Sequence, residues 1–190
     1  MSAAGQYVPG AFVFPLVNES PKMKASVPHG FLPIAQKTGW MNGDTFLRVL
    51  KHWNGQVKST PEKPKLLLMD NHSSHMEYPI ILYAKENCIV LQTLVPHTSH
   101  ATQPLDRSVY GPLKTYIREA HDEHLRRNPN KRTTIYDVPS LSEIPLQRAC
   151  SERNIKSGFR ATGIYPLDRN AIPQTMYAPS LVTELPGIFL

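Results

Sequence analysis

The sequence predicts an α/β domain with parallel strands. Two short apolar runs, KLLLMD at 65–70 and IVLQTLV at 89–95, are continuous rather than alternating, the pattern of strands buried on both faces. Residues 77–87 between them read as a helix, and a strand–helix–strand order sets the two strands parallel. Further helical patterns flank this unit, from Asn42 before it and from Leu105 after it.

The elements follow in order. Residues 11–17, AFVFPLV, are aromatic and β-branched behind Pro9-Gly10, which predicts a strand. Residues 18–39 are broken by Pro21, Pro28, Pro33, Asn18, Gly30 and Gly39, which predicts a loop with at most brief strands. Asn42 or Asp44 then offers an N-cap, and Phe46, Leu47, Val49, Leu50 and Trp53 form a helical stripe closed by Asn54-Gly55. Residues 56–64 are a polar connector before the first apolar run. Cys88 is expected to enter the second run as a small buried residue. Pro96 stops that run, and 97–104 is a polar loop. A long helix starts near Leu105, carries Val109, Leu113, Tyr116, Ala120 and Leu125, and ends at Asn128-Pro129. Pro112 should kink it or mark a later start. A further helix is expected over 141–156. The chain becomes irregular from Tyr165, and the expected division is a domain over 1–170 with a tail at 171–190.

Composition narrows the class. In 190 residues, 41% hydrophobic and 19% charged, a core can form and wholesale disorder is excluded. No apolar run reaches the ~18–20 residues of a membrane span. The first residues lack a basic stretch, so no secretory leader is expected. Two cysteines, Cys88 and Cys150, are too few for a disulfide framework and suit a reducing compartment. The formal charge of +6 points to a polyanionic partner, though a merely soluble basic protein explains it equally well.

Asp70 ends a buried strand, and a carboxylate there must be solvated, paired or bound to a cation. Asp106 lies in the first turn of the long helix. The interval between them holds one helix, one strand and one loop, so the chain returns to the same sheet edge. Two convergent carboxylates suit Mg²⁺ or Mn²⁺ and phosphate chemistry. Plain turn and N-cap roles remain open for both residues. His72-x-x-His75 and His97-x-x-His100 stand at equivalent strand ends. With Cys88 they could form a zinc site; the stronger reading makes them polar groups beside the carboxylates, together with Asn71 and Gln103.

These residues carry a resemblance. LLLMDNHSSH at 66–75, LVPHTSHATQPLDRSVYGPLK at 94–114 and SGFRATGIYPLD at 157–168 resemble the DDE superfamily endonuclease domain of pogo/Tigger/Jerky-like transposases. GQYVPGAFVFP at 5–15 and GWMNGDTFLRVLKHW at 39–53 resemble it too. The resemblance implies a ribonuclease H-like fold, a mixed sheet flanked by helices, in which three acidic residues hold divalent metals that cut DNA. It assigns Asp70 to the second acidic position and Asp106 to the third. The first would lie on an earlier strand, and Glu19, Asp44 and Glu62, the acidic residues before Asp70, do not fit it. The expectation is therefore a truncated domain lacking its first strand, with a weak or incomplete Mg²⁺ or Mn²⁺ site and impaired catalysis. A sheet edge left open in this way would be covered by a partner chain, as in a homo-oligomer, or by the rest of a longer protein of which this chain is a piece. An active endonuclease taking its third ligand from Glu77, Asp44 or a partner is the alternative. A non-catalytic protein-interaction domain is the second alternative.

Eleven basic residues against six acidic lie in 107–160, a local surplus of five. Lys114, Arg118 and Arg126 are expected on one helix face, with Arg127, Lys131 and Arg132 beyond it. They would contact DNA phosphates independently of base sequence. A solvated helix face explains them as well. Tyr110, Tyr116 and Tyr136 are expected in the core. The resemblance implies a nuclear protein, derived from a transposable element, with no membrane partner.

Overall fold

The computed structural model describes residues 1–177. They form a mixed α/β fold in which the strands make two separate parallel pairs, not one sheet. The first pair joins β1 (Ala11–Phe14) to β2 (Leu32–Ala35), with Ala11 opposite Leu32 and Phe14 opposite Ala35. Its crossover holds α1 (Pro21–Ser26). The Ser20 hydroxyl accepts the Met23 amide at 3.2 Å, Pro21 takes the first turn, and Met23 is fully buried. The stretch expected as loop is thus a small βαβ unit, whose six-residue helix is too short to show periodicity. Pro33 decides where β2 sits. Leu32 and Gln36 donate their amides to Gly10 and Phe14, so the alternating Pro33 nitrogen faces the outer edge. A missing donor there makes β2 an edge strand.

The α2 helix (Gly43–Val57) opens on a capping box: Asn42 Oδ1 accepts the Thr45 amide at 2.9 Å while Thr45 Oγ1 accepts the Asn42 amide at 2.8 Å. It runs past Asn54-Gly55, because Lys58, not a glycine, takes the left-handed C-cap (φ 50°) and donates to Asn54 O at 2.8 Å.

The second pair joins β3 (Lys65–Met69) to β4 (Ile89–Thr93) in parallel, Met69 opposite Thr93. The crossover carries a 3₁₀ turn at Ser73–His75 and α3 (Tyr78–Glu86). Leu50, Ile80, Ala84 and Ile89 form a first core, with Phe46, Leu47, Trp53, Leu67, Tyr83 and Leu91 packed against it. The expected two-sided burial of these strands does not hold. Leu66 is 61% and Val90 56% exposed, because α2 and α3 cover the opposite face. Cys88 is not in the strand either. It is half-buried in the preceding turn, in the left-handed region (φ 56°).

Beyond β4 the expected loop contains α4 (Ser99–Thr102), and the expected long helix is two: α5 (Pro104–Ser108) and α6 (Tyr110–Arg127). The break falls at Val109, since Pro112 has no amide for the Ser108 carbonyl and its ring crowds that group. The expected helix at 141–156 is likewise two, α7 (Val138–Ala149) and α8 (Glu152–Ala161), parted where the Ser151 hydroxyl accepts the Asn154 amide. Val109, Ala149, Cys150 and Ile155 form a second core, joined by Leu105, Tyr110, Leu113 and Tyr116. Tyr136 lies against Phe14 and under Lys22.

The SGFRATGIYPLD motif reads as packing. A Cβ on Gly158 would stand 3.0 Å from the Pro104 carbonyl carbon and nearer still to its oxygen and to Ser108 Oγ. Ser108 Oγ also donates to Asn154 O at 2.7 Å, so α8 lies tight against α5. Gly163 (φ 65°) then closes α8 in a Schellman motif, its amide on Arg160 O and that of Ile164 on Phe159 O. Of the expected tail, a 3₁₀ turn at Gln174–Tyr177 is seen, and 178–190 lie outside the described residues.

Candidate metal and nucleic-acid site

Asp70 directly follows β3, and Leu94 donates its amide to Met69 O at 2.8 Å, which fixes the carboxyl ends of β3 and β4 side by side. Asp106 sits in the first turn of α5, one helix beyond β4. The two carboxylates share a field. Burial raises the Asp106 carboxyl above its ordinary range; Asp70 pushes the same way, while Lys114 and His100 pull against both. Tyr110, one turn after Asp106, is also pushed up, first by burial and then by Asp106 and Asp70. Asp70, Lys114 and His100 thus lie near enough to act on the charge of Asp106, and Tyr110 near enough to feel both acids. Tyr110 was not foreseen as part of this group, although a spacing of four from Asp106 on a helix would have shown it.

The contacts of the two acids differ. Asp70 Oδ1 lies 2.8 Å from His75 Nδ1 and accepts the His72 amide at 3.3 Å. No described residue bonds its Oδ2 or either oxygen of Asp106. Asp106 is exposed and the Asp70 side chain is 44% exposed, so water reaches their free oxygens, and a hard cation bound there would replace that water. The donor chemistry fits one such ion through two carboxylates. No group of three His, Cys, Asp or Glu able to hold a metal occurs among the described residues. Glu77, weighed as a third ligand, directs its carboxylate at the first turn of α2, against Gly43.

The histidines split. His72 turns its Nδ1 to Ser74 Oγ at 2.8 Å, and His75 lies between Asp70 and Phe46. His97 is exposed in the left-handed region (φ 61°). His100 Nε2 reaches Met176 O at 2.8 Å. Asn71 is exposed, and the Gln103 carbonyl accepts the Arg107 amide at 3.3 Å. The zinc alternative finds no support. Cys88 precedes β4 while the histidines follow the strands, about 17 Å away at ~3.3 Å per residue.

All six expected phosphate contacts are exposed. Lys114 and Arg118, four apart on α6, share a face. Arg126 does not: at ~100° per residue it lies about 120° round from Lys114. It is bound to Glu123 at 3.0 Å, and Arg127 to the same carboxylate at 2.5 Å. Lys131 and Arg132 lie in the loop after α6.

The chain is 27% identical over 165 residues to the protein named MFS-type transporter clz9 of Cochliobolus lunatus, a match covering 85% of this chain and 17% of that protein. The chain thus spans about a sixth of the length of the curated relative it matches. No helix among the described residues is long and apolar enough to cross a membrane. No solved structure matches the chain. The family model described as DDE superfamily endonuclease matches residues 18–159, a span that includes Asp70 after β3 and Asp106 in α5. On that match the chain belongs to the DDE superfamily of endonucleases.

Proposed function

We propose that the chain is a DNA-binding domain derived from a pogo/Tigger/Jerky-like DDE transposase, with a ribonuclease H-like arrangement over about residues 1–170 and impaired catalysis. What supports this reading is that Asp70, at the end of β3, acts on the charge of Asp106, in the first turn of α5. Asp70 and Asp106 would hold Mg²⁺ or Mn²⁺, which supplies charge neutralisation at a phosphate and an activated water. Lys114 places a positive charge at the same point, and Arg118 extends it along α6 toward a phosphate backbone. Such contacts are independent of base sequence and weaken with salt.

Two carboxylates leave one cation with few protein ligands, and two cations with a charge excess. That is the ground for expecting weak binding and little cleavage. A nuclear location follows from a DNA partner. Nicking of supercoiled plasmid in Mg²⁺ or Mn²⁺, compared with Asp70→Ala, tests this. Little nicking by either protein, with a salt-sensitive DNA mobility shift, is the expected result. Robust cleavage lost in the variant would establish the active endonuclease instead. One observation favours a protein-interaction role, the uncovered Leu66 and Val90 on β3–β4. No salt-sensitive DNA shift would turn the balance that way, and a homo-oligomer in solution would identify the cover.

A further inference from the structure

We propose that His75 is the positioning residue for Asp70, and that Phe46 of α2 is the platform that holds it in place. This rests on the reading that Asp70 and Asp106 share a cation. His75 Nδ1 faces two acceptors of the same residue, Asp70 Oδ1 at 2.8 Å and Asp70 O at 3.4 Å. Neither can donate, so Nδ1 carries the hydrogen and the ring bridges the backbone and the carboxylate of Asp70.

The exposures assign the roles. The Asp70 side chain is 44% exposed and that of His75 only 15%. A half-exposed carboxylate left alone samples several rotamers, whereas one tied at Oδ1 keeps Oδ2 in a fixed direction. His75 is itself immobilised. Its ring centroid lies 4.1 Å from that of Phe46, tilted by 34°. Its amide donates to His72 O at 2.9 Å, closing the 3₁₀ turn. Phe46 in turn donates its amide to Asn42 O at 2.8 Å, within the capped first turn of α2. A continuous line of contacts therefore runs from the start of α2 through Phe46 and His75 to Asp70. Outer partners of this kind orient metal ligands, and losing one costs about 10–100-fold in affinity.

A Mn²⁺ titration of the full chain, followed by calorimetry and by the resonance of free Mn²⁺, tests this without reference to cleavage. His75→Leu removes the donor and keeps the bulk; binding should weaken about tenfold or more. His75→Asn sets Nδ2 where Nδ1 was and should restore most of the affinity, whatever either variant does to stability. Phe46→Leu keeps an apolar side chain in the core and the histidine but removes the ring, and should cause a smaller loss. It also serves if His75→Leu fails to fold. Parent-like or tighter binding by His75→Leu would overturn the proposal, as would His75→Asn binding as weakly as His75→Leu. Equal binding by the parent and Asp70→Ala is a different failure: it removes the cation reading itself, and this proposal with it.

Discussion

Gly158 sets two effects of opposite sign against each other. Alanine is the better helix former by about 1 kcal/mol, so Gly158→Ala within α8 would stabilise if nothing else mattered. The new Cβ, however, would stand 3.0 Å from the Pro104 carbonyl carbon, with the carbonyl oxygen and Ser108 Oγ closer still. Ordinary carbon contacts lie at about 3.5–4.0 Å, so α5 and α8 must part by roughly 0.5 Å or more. Overpacking of that kind costs about 1–3 kcal/mol. The net expectation is a loss of about 1 kcal/mol, seen as a melting temperature lower by about 2–4 °C for a chain of this size. Gly55→Ala in α2 is the control, since its Cβ would meet nothing within 4 Å. It should gain about 0.5–1 kcal/mol. Urea unfolding of both variants against the parent measures the contrast. Equal stabilisation by the two substitutions would refute the close approach of α5 to α8, and with it the means by which Asp106 is placed.

The Asp106 carboxyl, raised in the fold, binds its proton more tightly there than in the unfolded chain. The stability this contributes is fully present below the ordinary value of 3.8 and is lost as pH rises through the raised one. Asp106→Asn should therefore stabilise the metal-free protein at neutral pH, with the gain vanishing in acid, as thermal melts across pH would show. Lys114→Gln and Arg118→Gln should each weaken DNA binding uniformly across sequences and lower the salt slope by about 1. Arg126→Gln should do less, its guanidinium being paired with Glu123. Ser151→Ala removes the cap of α8 and should cost about 0.5–2 kcal/mol in urea unfolding. Leu50→Ala in the first core should cost about 2–5 kcal/mol by the same measure.

What could be read from the residues was what repeats. The stripe Phe46, Leu47, Leu50, Trp53 and the apolar runs after Lys65 and Ile89 carry their periods openly, and each forms its expected element. Counting the elements between Asp70 and Asp106 gave one helix, one strand and one loop; the structure adds the short turn at Ser73–His75 and makes part of the loop α4. What escaped has no period. The six residues of α1 are too few to show one. The breaks at Val109 and Cys150 come from single residues, Pro112 and Ser151, inside longer apolar patterns. Lys58 closes α2 without a glycine to announce it. The openness of β3–β4 depends on which helices land where, a tertiary fact that the composition of Leu66–Leu68 conceals. The grouping of Arg126 with Lys114 failed on simple angular geometry.

The two carboxylates ride on different foundations. Asp70 extends from β3, which packs into the core around Leu50 and Ile80; Asp106 belongs to α5, whose Leu105 packs into the core around Val109 and Ile155. An ion gripped by both would rivet one half of the molecule to the other. Saturating Mn²⁺ should then slow amide exchange in α3 and in α8 together, two segments that share no core cluster, and broaden protection well past the residues that touch the ion.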